Sequence, residues 1–275
     1  MSWNSDALIA GGRSAIDLLT VRGSVCSRSG ARPENEDSVG VAAVGESWIC
    51  VLSDGAGGHG GGATASKIAV ERIIEGFRAR PAREGDDLKE LILDAHDAVV
   101  VAQSKLGGEA SQMHATVVVL TVDSAARAAI WGHVGDSRLY FLRGGRVVTT
   151  TRDDSVVQRL VESGLLAESD ARDHPNKNRL LAALGMTDEL EPQATAAAQP
   201  LQDGDALLLC SDGWWDGLSN ADIEAAFAVA RTHEEWLDKM AERIAAQERP
   251  HQDNYSAIAV WIGDPGERTI MPQVG

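Results

Sequence analysis

The tripeptide Ser-Asp-Gly occurs twice, as Ser53-Asp54-Gly55 and Ser211-Asp212-Gly213, each time directly after an apolar run, Trp48 to Leu52 and Ala206 to Cys210. Asp-Gly alone is an ordinary turn signal. Two copies behind apolar runs put two carboxylates at the ends of buried strands. Asp253-Asn254 stands just before the run Tyr255 to Ile262, and Asn35-Glu36-Asp37 just before Val39 to Val44, so further carboxylates fall at strand ends. Crowded carboxylates repel one another or take up protons unless a cation joins them, and hard ions such as Mg²⁺ and Mn²⁺ prefer oxygen ligands. The pattern points to a divalent-metal cluster with Asp54 as the candidate bridge, Gly55 leaving its carbonyl free to approach an ion. Two such ions about 3.5 to 4 Å apart activate a water and clamp phosphoryl oxygens. Arg32, four residues before Glu36, carries the planar fork that suits a phosphate dianion, its other reading being a pair with Glu34 or Glu36.

Strands are expected where short apolar, β-branched runs recur: Trp48 to Ser53, Thr116 to Val122, Ala128 to Val134, Arg138 to Leu142, Arg146 to Thr151, Ala206 to Ser211 and Tyr255 to Ile262. Gly144-Gly145 between two of them reads as a tight antiparallel hairpin. Val70, Ile73, Ile74 and Phe77 recur at helical spacing, as do Leu88, Leu91, Ile92, Ala95, Val99 and Ala102. A later helix through Leu237, Met240, Ala241 and Ile244 follows Thr232-His233-Glu234-Glu235, which has capping-box spacing. Strands in blocks with helices in pairs, rather than strict alternation, predict an α+β layered sandwich with helices on the outer sheet faces.

The chain has 275 residues, 44% of them hydrophobic, and no linker-like stretch, which predicts one domain, 1–275, with a core of about 18–263 and a loose tail over 264–275. No apolar run reaches the roughly 18 residues of a membrane span, and Met1 to Ile16 lacks a basic flank and a long apolar stretch, so a cytoplasmic protein without membrane insertion is expected. A formal charge of −16 argues against nucleic acid as a partner. Three cysteines, Cys26, Cys50 and Cys210, have no paired spacing, which disfavours zinc sites and disulfides.

In order and approximate spacing, Arg32-x-x-Asn35-Glu36-Asp37, Asp54-Gly55-Ala56-Gly57-Gly58-His59, Gly135-Asp136-Ser137-Arg138, Ser211-Asp212-Gly213 and Asp253-Asn254 resemble the motifs of the metal-dependent protein phosphatases of type 2C, and more closely their bacterial branch. Thr151 to Gly185 is similar to that family's flap region. The resemblance implies a four-layer αββα sandwich of two mainly antiparallel sheets. It implies hydrolysis of phosphoserine and phosphothreonine by direct attack of a metal-bridging water, with two or possibly three Mn²⁺ or Mg²⁺ ions. Asp54, Asp212 and Asp253 would hold one ion; Asp54, the Gly55 carbonyl and the Glu36-Asp37 pair would hold the other; Asp136 with Asp212 would hold a third. Arg32 would grip the phosphate and Asn254 would support the Asp253 loop. Phosphoproteins made by a cognate Ser/Thr kinase would be the partners of a monomer.

This sequence departs from the family pattern at Ala56, where animal members place the histidine proposed as general acid and bacterial members usually carry methionine, and at Met113-His114-Ala115-Thr116, where small residues and paired threonines are usual. His59 is close in sequence to that acid position without matching it, so a supporting hydrogen bond is expected there. His133 reads as a satisfied core residue, and Trp214 and Trp215 read as packing beneath a loop, with a recognition surface as the alternative. Two other functions fit parts of the chain. One is a phosphoprotein-binding module of the same fold that has lost turnover. The other is a dinucleotide-binding enzyme, because Gly55-Ala56-Gly57-Gly58-His59-Gly60 fits G-x-G-x-x-G, although Asp54 would set a carboxylate against the pyrophosphate.

Overall fold

Antiparallel strands usually alternate apolar with polar because one sheet face is wet. The unbroken apolar runs of this chain arise because both faces of each sheet are covered. The computed structural model describes residues 2–4, 19–57, 61–106, 112–186 and 189–263. Its elements begin with β1 (Ser2–Asn4), β2 (Val21–Arg28), β3 (Ser38–Val44), β4 (Ser47–Ser53) and β5 (Gly55–Ala56), then helices α1 (Gly61–Ala79) and α2 (Gly85–Leu106). Next come β6 (His114–Ala115), β7 (Val117–Asp123), β8 (Ala128–Val134), β9 (Arg138–Arg143) and β10 (Arg146–Thr150), followed by α3 (Val156–Glu162) and α4 (Glu168–Ala171). The chain continues through β11 (Gln193–Ala194), β12 (Gln199–Pro200), β13 (Ala206–Cys210), α5 (Asp212–Trp215), α6 (Asn220–Val229), α7 (His233–Ala245) and β14 (Tyr255–Ile262).

One sheet runs β1-β2-β14-β13-β9-β10 and the other β11-β8-β7-β4-β3, with β12 also on β8. Every described pairing is antiparallel, which removes the parallel βαβ unit that dinucleotide binding through Gly55 to Gly60 would need. Side chains then sort by the period of two. On β7, Val118, Leu120 and Val122 meet the opposite sheet, while Val117 and Val119 meet the helices. On β13, Leu207 and Leu209 face between the sheets and Leu208 and Cys210 face outward. Each fully buried Val or Leu in these layers contributes about 1.5 to 3 kcal/mol. Helices α1 and α2 cover one sheet through Val70, Ile73, Phe77, Leu88 and Ile92; α6 and α7 cover the other through Ile223, Phe227, Trp236 and Met240. This is the αββα sandwich.

The Gly144-Gly145 hairpin forms as expected, with φ of 59° and 76° and Arg143 opposite Arg146. The short strands and the helices α3, α4 and α5 gave no periodic signal, and neither did β2, β1 and α6. Strand β2 lies centrally between β14 and β1, and its polar Arg22, Ser24 and Ser27 mask the pattern. Strand β1 adds three residues ahead of the expected core boundary, paired antiparallel with Arg22–Ser24. Helix α6 buries only Ile223 and Phe227, too few for a periodic signal, yet Ser219 and Asp222 form a full capping box at its start. At α7 the Thr232 side chain accepts from the Glu235 N–H, but the Glu235 carboxylate goes to the Arg231 N–H, so the expected box is displaced by one residue. His59 and the tail 264–275 lie outside the described residues. Among the described residues no helix is long and apolar enough to cross a membrane.

Candidate metal centre

The ends of β4 and β13, the turn before β3 and the turn before β14 open on one cleft of about 620 Å³, lined among others by Arg32, Glu36, Asp54, Gly55, Asp136, Asp212, Asp253 and Asn254. Of the described residues expected to hold metal, grip phosphate or support the Asp253 loop, only Asp37 is not on that lining, and it stands directly behind it. Its carboxylate accepts from the Ser211 hydroxyl at 2.9 Å, and Ser211 immediately precedes Asp212.

Backbone contacts set the first strand end. The Thr116 N–H donates to the Asp54 carbonyl at 2.8 Å, the Thr116 hydroxyl oxygen accepts from the Asp54 N–H at 3.1 Å, and the Ser53 hydroxyl donates to the Thr116 carbonyl at 2.6 Å. Thr116 and Ser137 share a hydrogen bond of 2.7 Å, tying in the turn that carries Asp136. A Cβ on Gly55 would fall 2.1 Å from the Gly62 carbonyl, so only glycine lets the start of α1 reach the Asp54 turn. Glu36 sits under that helix start, its carboxylate accepting from the Ala63 N–H and its carbonyl accepting from the Ser66 hydroxyl at 2.5 Å. At the second end, a Cβ on Gly213 would meet the Asn254 carbonyl at 2.1 Å.

Asn254 organises the acidic turns. Its side-chain oxygen accepts from the Glu36 N–H at 2.8 Å and its amide donates to the Ser29 and Glu34 carbonyls at 2.8 and 2.9 Å, so it fastens the 29–36 loop as well as the Asp253 turn. Arg32 bonds neither Glu34 nor Glu36; its guanidinium donates to Asp253 at 2.8 Å across the cleft mouth. Both partners are accessible there, with 55% and 35% of their side chains exposed, so the pair is a weak one that another anion can replace.

The electrostatics are those of crowded, buried carboxyl groups. Burial, with repulsion from Asp253 and Glu36, pushes the Asp37 carboxyl up to about 6. Burial, with repulsion from Asp253 and Asp37, pushes Asp212 up to about 7, and Asp54 stands close enough to share a hydrogen bond with it. Asp54 and Asp136 lie well above the usual carboxylate range through burial and then the charge of Asp212. Oδ1 of Asp37 and Oδ1 of Asp212 are buried without any hydrogen-bond partner. Orphaned anionic oxygens of this kind cost several kcal/mol unless protonated or bound to a cation. Among the described residues no three acidic, His or Cys side chains already form a closed ligand shell; they line the walls of an open cleft instead. Hard oxygen donors, unsatisfied atoms and room between them fit divalent ions of the Mg²⁺ or Mn²⁺ class.

Sequence reasoning missed several residues of this site. Ser137 and Ser211 act through hydroxyls that no motif role had flagged, and Pro33, Asn178 and Leu180 line the cleft from loops without periodicity. His114 and Ala56, the two points where the chain departs from the type 2C pattern, are cross-strand partners in the β5–β6 pair. The Nδ1 atom of His114 is buried without a partner. His133 is buried with its ring on the Arg152 carbonyl at 2.7 Å, a satisfied core position. Trp214 and Trp215 are buried, which removes them as a recognition surface.

Comparison with known proteins gives a consistent picture. The family model described as protein phosphatase 2C matches residues 22–254. The serine/threonine phosphatase stp of Listeria innocua is 30% identical over 251 residues, covering 89% of this chain and 94% of that protein. The serine/threonine protein phosphatase PstP of Mycobacterium tuberculosis is 32% identical over 205 residues, covering 74% of this chain but only 38% of PstP. The solved catalytic domain of PstP in complex with two manganese ions superposes with a TM-score of 0.75 at 28% identity, covering 90% of this chain and all of that one.

Proposed function

This chain belongs to the protein phosphatase 2C family, and we propose that it is a metal-dependent protein serine/threonine phosphatase whose reaction takes place in the cleft between the two strand ends. The observation that carries the proposal is the meeting of Asp54, Asp212 and Asp253, from distant parts of the chain, on one cleft with buried carboxylate oxygens left unpaired. Asp54, Asp212 and Asp253 would hold one ion, and Asp54, the Gly55 carbonyl and the Glu36-Asp37 pair the other. Asp136 with Asp212 would hold a third. Bound there, Mn²⁺ or Mg²⁺ supplies a nucleophilic water at neutral pH and charge for the phosphoryl oxygens.

The protein's own groups do the positioning. The Arg32 guanidinium can leave Asp253 for a phosphate dianion entering at the cleft mouth, a better bidentate partner. Thr116 and Asn254 hold the Asp54 and Glu36 turns by backbone bonds, so the carboxylates need little reorganisation when charge develops. Water adds to phosphorus, the P–O bond to serine or threonine breaks, and the leaving oxygen takes a proton while inorganic phosphate departs. Ala56 offers no side-chain donor for that proton. Proteins phosphorylated by a Ser/Thr kinase in the cytoplasm are the substrates of this reading, and the chain acts on them as a monomer.

The test is phosphate release by purified protein with and without Mn²⁺ from a phosphothreonine peptide and from p-nitrophenyl phosphate. Metal-dependent release supports the reading. A protein that binds the peptide but releases nothing is the catalytically silent module instead.

A further inference from the structure

Asp216 lies one residue beyond α5 and lines no part of the cleft, yet three segments that do line it meet on this one residue. Its Oδ1 accepts from Lys177 Nζ at 2.6 Å, its Oδ2 accepts from the Arg249 guanidinium at 2.8 Å, and the same guanidinium reaches the Asp216 carbonyl at 3.0 Å. The Asp216 N–H donates to the Asp212 carbonyl at 2.8 Å, which closes α5 on the residue that begins it. Lys177 immediately precedes Asn178 and stands three residues before Leu180, both on the cleft wall. Arg249 stands four residues before Asp253 and opens the turn that carries Asp253 and Asn254.

Other bonds run the same way. Arg172, from the same segment as Lys177, donates to the Trp215 and Leu218 carbonyls at 3.0 and 2.7 Å, and the Trp215 ring N–H donates to the Asp136 carbonyl at 2.8 Å. Exposed ion pairs are weak because water and side-chain entropy compete with them. Here the Asp216 side chain is 24% exposed, so each donor acts on a partly desolvated acceptor already held by the others.

We propose that Asp216 is a positioning residue that sets Asp212, the Asp253 turn and the 151–186 wall of the cleft relative to one another through two separable arms, Lys177 and Arg249. The Lys177 arm carries no metal-site carboxylate and governs the wall that a peptide would touch. The Arg249 arm governs the placement of Asp253 and therefore metal affinity. The inference rests on the phosphatase reading above.

The experiment measures Mn²⁺ affinity by calorimetry and KM for a phosphothreonine peptide at saturating Mn²⁺ in the full chain. Lys177→Met should raise KM about fivefold with Mn²⁺ affinity unchanged, and Arg249→Met should weaken Mn²⁺ binding about fivefold with KM unchanged, the size of a modest coupling between sites. Asp216→Asn should show both effects and Asp216→Glu should recover part of each. If Asp216→Asn fails to fold, the single-arm variants decide. Values for both arms within about twofold of wild type, or equal shifts of both readouts by both variants, overturn the proposal even if Tm falls. A wild type that hydrolyses no substrate sinks the phosphatase reading instead, and calorimetry alone then decides the Arg249 arm.

Discussion

The two Ser-Asp-Gly tripeptides are identical in sequence and differ in almost everything around them. After Asp54 the chain stays extended and pairs as β5 with β6; after Ser211 it turns directly into α5, with Asp212 as the first helical residue. Ser53 donates its hydroxyl to a backbone carbonyl, that of Thr116, whereas Ser211 donates to the Asp37 carboxylate and accepts from the Ser256 N–H at 3.0 Å. What they share is the glycine: in each copy a foreign backbone carbonyl lies where a Cβ would stand, Gly62 in one and Asn254 in the other. The comparison teaches that a local motif can prescribe close backbone approach and a carboxylate beside it while leaving the path of the chain to its tertiary partners.

If the two ends serve one ion cluster, Asp54→Asn and Asp212→Asn should be equally damaging, each lowering kcat by roughly 10²- to 10³-fold, a loss in the range expected when one charged contact to the reacting group disappears. Neither should lower the Tm of the metal-free protein, because each removes a buried, mutually repelled carboxylate. A mutant at one end with full turnover would break the equivalence. Gly55→Ala and Gly213→Ala test the shared packing: each sets a methyl against backbone at 2.1 Å and should cost about 3 kcal/mol or more in urea unfolding. A mild effect at only one site would show that one turn can relax.

Thr116→Val sharpens the difference between the ends, since it strips the acceptor from the Asp54 N–H and the partner from the Ser137 hydroxyl, with Ser137→Ala as the control for the second bond. A loss of about 1 to 3 kcal/mol in urea unfolding is expected for Thr116→Val, exceeding that of Ser137→Ala, against equal losses if the Asp54 turn holds itself. The smallest effect is one of pH. With Asp37 raised to about 6 and Asp212 to about 7, the folded, metal-free protein keeps protons that the unfolded chain releases near pH 4. The stability these groups confer is present below that pH and is lost as pH rises towards 7. The metal-free Tm should therefore be a few degrees lower at pH 8 than at pH 6, and Mn²⁺ should abolish the difference. A metal-free Tm that rises over that interval would show the acids are not held protonated.

Much of the scaffold was legible because burial on both faces turns strands into continuous apolar runs, as in β4, β7, β13 and β14. Strand β2 lies between β1 and β14 without a continuous apolar run, because Arg22, Ser24, Ser27 and Arg28 interrupt it; Ser27 finds its partners only in the fold, its hydroxyl accepting from the Ser256 hydroxyl at 2.8 Å. In the cleft the acidic residues announced themselves by type and place, whereas Ser137, Ser211 and Asn178 did not, because a hydroxyl or amide gains a role only from what stands beside it. Arg32 is the instructive case: proximity in sequence suggested Glu34 or Glu36, and the fold instead supplied Asp253, 221 residues away.

By itself the sequence determined the periodicities that make two sheets and their covering helices, and the placing of carboxylates and glycines at strand ends, because side-chain alternation and backbone freedom are properties of neighbouring residues. Only the tertiary structure decided that those ends open on one cleft, which carboxylate oxygens are left buried and unpaired, and which cation meets which acid. Those outcomes depend on distances between segments remote in the chain, and charge and desolvation act through distance in space.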